Sequence, residues 1–336
     1  MVKSGRFSYR QVVMKSVIIA VTLVALSGHV WADLRLGRTT LAFATVEEGK
    51  RVLVRRDDYV KRMSAFDRSA RLKTDRVVSE REYLKFVGRA VLAWGEAEKE
   101  KLYLAMEGVE ERLRKMALPF PEKIWLIKTT GQEEGNAAYT RQNAIVFPKT
   151  FLEGRPSRLQ KVLCHELFHV LSRANEELRE KCYAAIGFEK CNELEFPEEL
   201  AARKLTNPDA PRNEHCLKVR VDGKSQWVIP ILFSREEKYD PAKGGEFFRY
   251  LQFKLVVVKR PADGERVKVA RDGAMVMLLD VGDVTGFFEQ VGKNTGYIIH
   301  PEEILADNFV LLVTRERDLA SPKVVESLSR ILAGKG

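Results

Sequence analysis

The chain has 336 residues, which is enough for one large domain or two modest domains with a substantial core. Hydrophobic residues make up 45% of it and charged residues 31%, an ordinary balance for a soluble globular protein that excludes a disordered chain. The formal net charge is +10, but basic and acidic side chains alternate, as in Arg55-Arg56-Asp57-Asp58, which is typical of a solvated surface. Nucleic acid is therefore not an expected partner.

Residues 1–32 have the pattern of a signal peptide. Basic residues without any acidic residue precede an apolar run over residues 17–26, which only Thr22 interrupts. Small residues at Val30 and Ala32 suit a signal peptidase, so we expect cleavage before Asp33 and a periplasmic or secreted location in a bacterium. The run is too short to cross a hydrocarbon core of about 30 Å, so no stable membrane span is expected after cleavage.

Residues 33–118 are predicted to form a mostly helical N-terminal region. Ser79 and Glu82 have the spacing of a capping box, which predicts a helix that starts there and carries an apolar face from Tyr83 to Trp94. A second helix is predicted over residues 96–118, with apolar residues at helical spacing. These stripes indicate core packing. Because no flexible linker follows, we expect this region to be part of the core rather than a propeptide or a lid.

Residues 119–190 are predicted to form the core that carries the functional helix. An apolar, extended segment is predicted over residues 124–129, followed by a polar loop. A hairpin is then expected around Gln142-Asn143, with Asn136-Ala137-Ala138-Tyr139 as its first strand and residues 144–147 as its second.

His165-Glu166-Leu167-Phe168-His169 lies in a helix that is predicted to begin near Pro156. Residues four apart lie on one helix face, so both imidazoles can bind the same metal ion. Neutral imidazole is a good zinc ligand, and Glu166 can accept the proton of a water beside it. The alternative is a helix with two surface His around a solvated Glu. The flanking residues are apolar nearly all round, which favours a buried helix whose His and Glu need partners.

Residues 191–296 are predicted to be a β-rich insertion. Asp222-Gly223 and Asp272-Gly273 are turn-forming dipeptides between extended runs, and each predicts a hairpin. Asn207-Pro208-Asp209-Ala210-Pro211 is predicted to be a rigid loop at the entry to the insertion.

Residues 297–336 are predicted to supply a third metal ligand and a C-terminal helix. Pro301 suits the first position of a helix, on which Glu303 and Asp307 share a face because they are four apart. A ligating His commonly donates its second ring N–H to a carboxylate. Glu303 as the ligand and Asp307 as that acceptor fit this requirement.

Other residues could also serve as metal ligands or as hydrogen-bond donors to the reacting oxygen. Glu302 is a rival to Glu303, but Ala306 four residues on cannot orient an imidazole. Glu198 and Glu199 are also rivals, although their position after Pro197 is typical of solvated charges at a helix start. The donors considered for a developing oxyanion are His300, Tyr297 and Tyr139, with helix capping or core packing as the alternative role for His300.

An exported chain with four cysteines could form disulfides, and no C-x-x-C spacing supports a cysteine metal site. Cys164 is expected to pack as a small buried hydrophobe on the metal-binding helix. Cys182 with Cys191, or Cys191 with Cys216, are the plausible bridges.

The pair His165-Glu166-x-x-His169 and Glu303-x-x-x-Asp307 resembles the gluzincin class of zinc metallopeptidases, the thermolysin-like enzymes. The resemblance implies an α+β, zincin-like core in which His165, His169 and Glu303 bind Zn²⁺, Glu166 is the general base and Asp307 orients a ligating His. In that class the third ligand is much closer in sequence to the His pair, whereas here 134 positions separate His169 from Glu303 (303 − 169).

The same resemblance extends to the substrate side of the site. Asn136-Ala137-Ala138-Tyr139 is similar to the edge strand that binds substrate in these enzymes, which implies substrate contacts at Asn136, Ala137 and Tyr139. The sequence therefore predicts an exported zinc-dependent peptidase that acts on a peptide or protein. A catalytically silent binding or scaffold protein of the same fold is the alternative, and a metal-dependent hydrolase of cell-wall amides is a third possibility.

Overall fold

The computed structural model describes residues 33–261 and 266–335. The signal peptide predicted at residues 1–32 lies outside the described residues. Within the described ranges, no helix is both long enough and apolar enough to cross a membrane. Contacts join the described residues into one unit.

Of the described residues, 43% are helical and 22% are in strands, which confirms the α+β class. The strands are β1 (Leu34–Leu36), β2 (Thr39–Phe43), β3 (Val91–Leu92), β4 (Lys123–Thr129), β5 (Tyr139–Arg141), β6 (Ala144–Pro148), β7 (Phe188–Lys190), β8 (His215–Val221), β9 (Lys224–Ser234), β10 (Leu251–Lys259), β11 (Lys268–Val269), β12 (Arg271–Asp272), β13 (Met275–Val276) and β14 (Leu278–Leu279). The helices are α1 (Val46–Leu53), α2 (Asp58–Arg62), α3 (Ala65–Arg71), α4 (Glu80–Ala90), α5 (Glu96–Met116), α6 (Lys149–Leu152), α7 (Pro156–Ala174), α8 (Glu176–Ala185), α9 (Glu198–Ala201), α10 (Phe287–Val291), α11 (Pro301–Thr314) and α12 (Pro322–Leu332).

The first sheet has the strand order β1-β2-β4-β6-β5, and β3 pairs with β4 off this path. The pairings β2–β4 and β4–β6 are parallel, whereas β1–β2 and β5–β6 are antiparallel hairpins. Strands from residues 33–118 therefore lie beside strands from residues 119–190. The N-terminal region is built into this sheet, and β5 forms one of its edges.

Both faces of this sheet are covered, because side chains alternate between two hydrophobic clusters along each strand. On β4 and β6, Leu126 and Phe147 face the cluster that contains α5, α7 and α11. Ile127 and Val146 face a second cluster, which packs against α1, α2 and α4. The helix α7 is consequently held between the sheet and the neighbouring helices α5 and α11.

The segment after α8 forms a second, antiparallel sheet with the order β11-β10-β9-β8-β7, and its strand β7 lies just before the insertion predicted at residues 191–296. Asp222 and Gly223 form the turn of the β8–β9 hairpin, and both have the positive φ that such a two-residue turn requires. Gly273 likewise has a positive φ in the turn between β12 and β13.

The structure differs from the predicted elements in two places near the site. The strand expected over residues 136–139 begins only at Tyr139, because Asn136 donates its N–H to the Gly131 carbonyl and has φ +64°. Asn tolerates this left-handed conformation, and it ends the turn that precedes the strand. The helix α4 ends at Ala90, since Val91 is extended and pairs with Thr129 of β4.

All four cysteines lie in the described ranges, and all four are free thiols, so neither expected disulfide is present. Cys182 packs in the main core, whereas Cys191 and Cys216 belong to the cluster of the second sheet. The thiols of Cys191 and Cys216 interact, which raises the pKa of Cys191 and lowers the pKa of Cys216. Cys164 is fully buried on α7, as predicted for a small hydrophobe.

Candidate metal centre

The helix α7 presents His165 and His169 on one face. Pro156 occupies its first turn, where a missing N–H costs nothing. Leu163, Leu167 and neighbouring apolar residues of α7 are fully buried in the main core and fix the rotation of the helix. The two imidazole rings consequently lie close together, with centroids 4.7 Å apart.

The helix α11 brings Glu303 to this pair. Glu303 Oε2 lies 3.1 Å from His165 Nε2 and 3.5 Å from His169 Nε2. The candidate ligand atoms of the three residues all lie within 4.8 Å of one another. Two segments separated by 134 positions (303 − 169) therefore meet at one point.

Each imidazole has a carboxylate at its other nitrogen. His165 Nδ1 lies 2.9 Å from Asp307 Oδ1, and His169 Nδ1 lies 3.0 Å from Glu302 Oε1. Because an ionised carboxylate can only accept, each Nδ1 carries a hydrogen, and each Nε2 faces Glu303. This is the tautomer that a metal-binding His commonly has.

Glu302, which by its sequence position was only a rival of Glu303 as a metal ligand, contacts the Nδ1 atom of His169 instead. It is 2% exposed, and besides His169 it accepts hydrogen bonds from Ser172 Oγ and Tyr183 OH. Its pKa is lowered because these hydrogen bonds and the nearby imidazole outweigh the effect of burial. The signal that could have found it is the requirement for two orienting carboxylates, one for each imidazole.

We expect Glu302→Gln to weaken zinc binding by about 10–100-fold, the usual effect of removing a carboxylate that orients a ligating His. The NH₂ group of the new Gln would also face a hydroxyl of Ser172 or Tyr183 that donates a hydrogen bond to Glu302 in the wild type. This buried donor would lose its acceptor, which should lower the free energy of unfolding by about 1–3 kcal/mol. Competition with a zinc-binding dye and thermal unfolding measure the two effects. Tyr183→Phe removes only one hydrogen bond and should change zinc affinity and stability less. Unchanged zinc affinity in Glu302→Gln would contradict the role of Glu302 in orienting His169.

Two buried atoms at the centre have no hydrogen-bond partner among the described residues: His169 Nε2 and Glu166 Oε2. Leaving a buried imidazole nitrogen unpaired costs free energy, so such an atom requires an explanation. A cation between the imidazoles and Glu303 would provide one. Two imidazole nitrogens and one carboxylate oxygen form the donor set of a catalytic zinc site, which keeps a position for water.

Glu166 is buried beside the His pair and is only 3% exposed. Burial and, secondarily, the negative charge of Asp209 raise its pKa to about 8, against the opposing effect of the two His. A carboxylate whose proton affinity is raised in this way is a better general base than an exposed Glu.

The loop Asn207-Pro208-Asp209-Ala210-Pro211 also reaches the centre, which the sequence did not indicate. Asn207 Nδ2 donates to Glu303 Oε1. Asp209 Oδ1 accepts hydrogen bonds from Thr140 N at 2.6 Å and from Thr140 Oγ1 at 2.7 Å. Asp209 also forms a second compact group with Glu166 and His169, whose candidate ligand atoms lie within 4.8 Å of one another.

A cleft of about 400 Å³ opens onto these residues, with walls formed by Ala137, Ala138, Phe151, Lys161, Val162, His165, Glu166, Asp209, Asn294, Tyr297, Glu303, Asp307, Val310 and Leu311. Tyr297 stacks on His165, with ring centroids 6.3 Å apart and an angle of 28° between the planes. Ala137 lines the cleft, Asn136 is exposed beside it, and the buried Tyr139 hydroxyl donates to Glu133 at 3.3 Å.

His300 does not face the cleft, although an oxyanion-binding role was considered for it. Its Nδ1 accepts from Glu302 N at 3.1 Å, and its Nε2 lies 3.3 Å from the Arg212 carbonyl oxygen. Burial and the neighbouring His215 lower its pKa to about 4, so the ring is neutral. His300 therefore caps α11, which is the alternative that the sequence left open.

The other candidate ligands lie elsewhere. Glu198 and Glu199 are exposed on α9, and Glu199 pairs with Arg271.

Comparisons of the chain with protein-family models, with curated proteins and with solved structures found no match. The function is therefore inferred from the geometry of the cleft itself.

Proposed function

We propose that the protein is an exported zinc-dependent peptidase with a zincin-like core. The observation that carries the proposal is the meeting of His165, His169 and Glu303 beside the buried Glu166. The carboxylates of Asp307 and Glu302, each aligned on one imidazole, support it further. A structural zinc site would have no need of a buried carboxylate such as Glu166.

When bound, a zinc ion would supply a water of lowered pKa and a positive charge for the substrate carbonyl. Glu166 accepts the proton of the attacking water at Oε2. It then transfers this proton to the nitrogen of the leaving amine, which returns Glu166 to its ionised form. The donor that we assign to the developing oxyanion is Tyr297, which lines the cleft and whose ring stacks on His165.

Ala137 and Ala138 line the cleft, and the next residue, Tyr139, begins β5. An extended peptide on this wall would run towards β5, the edge strand of the first sheet. The substrate expected from this arrangement is a peptide or an unfolded segment of a protein.

Activity of the wild-type protein on a broad peptide library tests the proposal. We expect cleavage to stop after treatment with a chelator and to return with about one equivalent of zinc, because one cluster provides the three ligands. Magnesium should not restore it, since Mg²⁺ prefers oxygen ligands in octahedral geometry. Cleavage that continues unchanged after complete metal removal would contradict the proposal.

A catalytically silent binding protein is the second candidate, and one observation favours it. The backbone N–H of Thr140, on the edge strand β5, is already bound to Asp209, so a peptide cannot pair there without moving this loop. A protein of this kind would bind zinc and peptides, but the library would remain intact.

A further inference from the structure

A second cavity opens beside the cleft, with a volume of about 130 Å³. It shares Ala137, Ala138, Asp209 and Tyr297 with the cleft that contains His165 and Glu166. A peptide bound on the Ala137–Ala138 wall would therefore pass the mouth of this cavity. None of His165, His169 and Glu303 lines this cavity.

The walls of the cavity are mostly apolar, with Thr206, Asn207 and Asp209 as polar members, and most of the lining residues come from the β-rich insertion. Leu205, Leu232, Phe247, Phe248 and Leu251 line it. Leu205 and Phe247 are 4% and 6% exposed and pack into the fold, whereas Phe248 is 45% exposed.

Gly135 fixes how closely this wall approaches the loop before β5. Its φ is +58°, and an added Cβ would lie 2.7 Å from Phe248 Cε2. Only glycine at position 135 therefore allows the backbone to lie this close to the Phe248 ring. The insertion and the edge-strand segment consequently enclose the cavity together.

The floor of the cavity contains Arg71 and Glu134, whose charges are already paired. Arg71 has five N–H donors, and Glu134 Oε1, Glu134 Oε2, Asp67 Oδ1, the Asp67 carbonyl and the Thr206 carbonyl accept from them. The guanidinium also lies over the Phe247 ring, 4.4 Å from its centroid. Arg71 therefore has no donor left for a substrate carboxylate.

We propose that this cavity binds one apolar side chain of the substrate, either aromatic or branched aliphatic. The volume of about 130 Å³ is close to that of a cavity of about 150 Å³, lined by Leu, Ile and Phe, that binds benzene. Acidic side chains are excluded because Arg71 has no free donor and because the carboxylates of Glu134 and Asp209 line the same cavity; a basic side chain would lose its hydration against the Leu and Phe walls. The inference rests on the proposed function for the placement of the peptide, but the cavity's selectivity can be measured without cleavage.

The test is a titration of the full-length Glu166→Gln protein with the N-acetyl amides of Phe, Leu, Asp and Lys, followed by NMR or calorimetry. We expect the Phe or Leu amide to bind about 10–100-fold more tightly than the Asp and Lys amides, the range for placing or losing such a group in an apolar pocket. Leu232→Trp fills the cavity and should remove this preference. Phe248→Ala, at a residue that is 45% exposed, opens the wall and should reduce the preference without risk to folding.

Leu104→Ala is the matched control, because Leu104 is 49% exposed on α5 and lines neither the cleft nor the cavity. Equal binding of the four amides, or a preference that neither cavity variant changes, would overturn the inference. Library cleavage by the wild type provides a separate readout. Absence of cleavage with intact amide selectivity counts against the peptidase and supports the cavity, whereas cleavage without an apolar preference counts against the cavity alone.

Discussion

Glu166→Gln is expected to lower the rate of peptide cleavage by about 10²–10⁴-fold, the usual contribution of a general base, while zinc binding stays at the wild-type level. Gln has the same shape as Glu but cannot accept the proton of the attacking water. Because Glu166 is buried with one unpartnered oxygen, its replacement by a neutral amide should leave the melting temperature unchanged or raise it. Rates on a cleaved library peptide, zinc content and thermal unfolding measure the three effects.

The matched control for this substitution is Glu177→Gln. Glu177 lies on α8 with its side chain 87% exposed, so the same chemical change there should alter neither rate nor stability. If Glu166→Gln cleaves the library as fast as the wild type, the cleavage does not use this site, and the enzymatic proposal fails.

Glu303→Gln is expected to weaken zinc binding by more than about 100-fold, which exceeds the effect of losing an orienting carboxylate. The amide can still accept from Asn207 Nδ2 through its oxygen, but it then turns its NH₂ group towards the imidazole lone pairs. Zinc should raise the melting temperature of the wild type in proportion to the logarithm of its free concentration, and this rise should vanish in the variant. Dye competition and zinc-dependent thermal unfolding check both statements.

Glu326→Gln is a suitable control, since Glu326 is exposed on the neighbouring helix α12. It should bind zinc as the wild type does. Wild-type affinity in Glu303→Gln would show that another group supplies the third ligand, and Asp209 would then be the residue to replace, because it shares a compact group with His169.

The sequence predicts those parts of the centre that depend on local geometry. The spacing of His165 and His169 is set by one helix, and that helix begins at Pro156, near where it was expected. The helix of Glu303 could be predicted in the same way, because Pro301 occupies its first turn. In both cases a short pattern determines which side chains share a face.

The sequence does not predict contacts that depend on tertiary packing. Asn207 and Asp209 belong to a loop whose rigidity follows from its prolines, but its position over the centre is fixed by distant partners such as Thr140 and Arg173. Glu302 was misjudged for a related reason, since its partner His169 lies on another helix. Strand pairing across the first sheet is equally non-local, so the parallel neighbours of β4 could not be read from sequence.

The most direct test of the central claim is a zinc-soaked crystal structure of the protein, with the metal identified by anomalous scattering. The account predicts one zinc ion, bound by His165 Nε2 and His169 Nε2 at about 2.0–2.1 Å and by a Glu303 oxygen at about 2.0–2.2 Å. A zinc ion bound to other residues, or none at this point under saturating zinc, would contradict it.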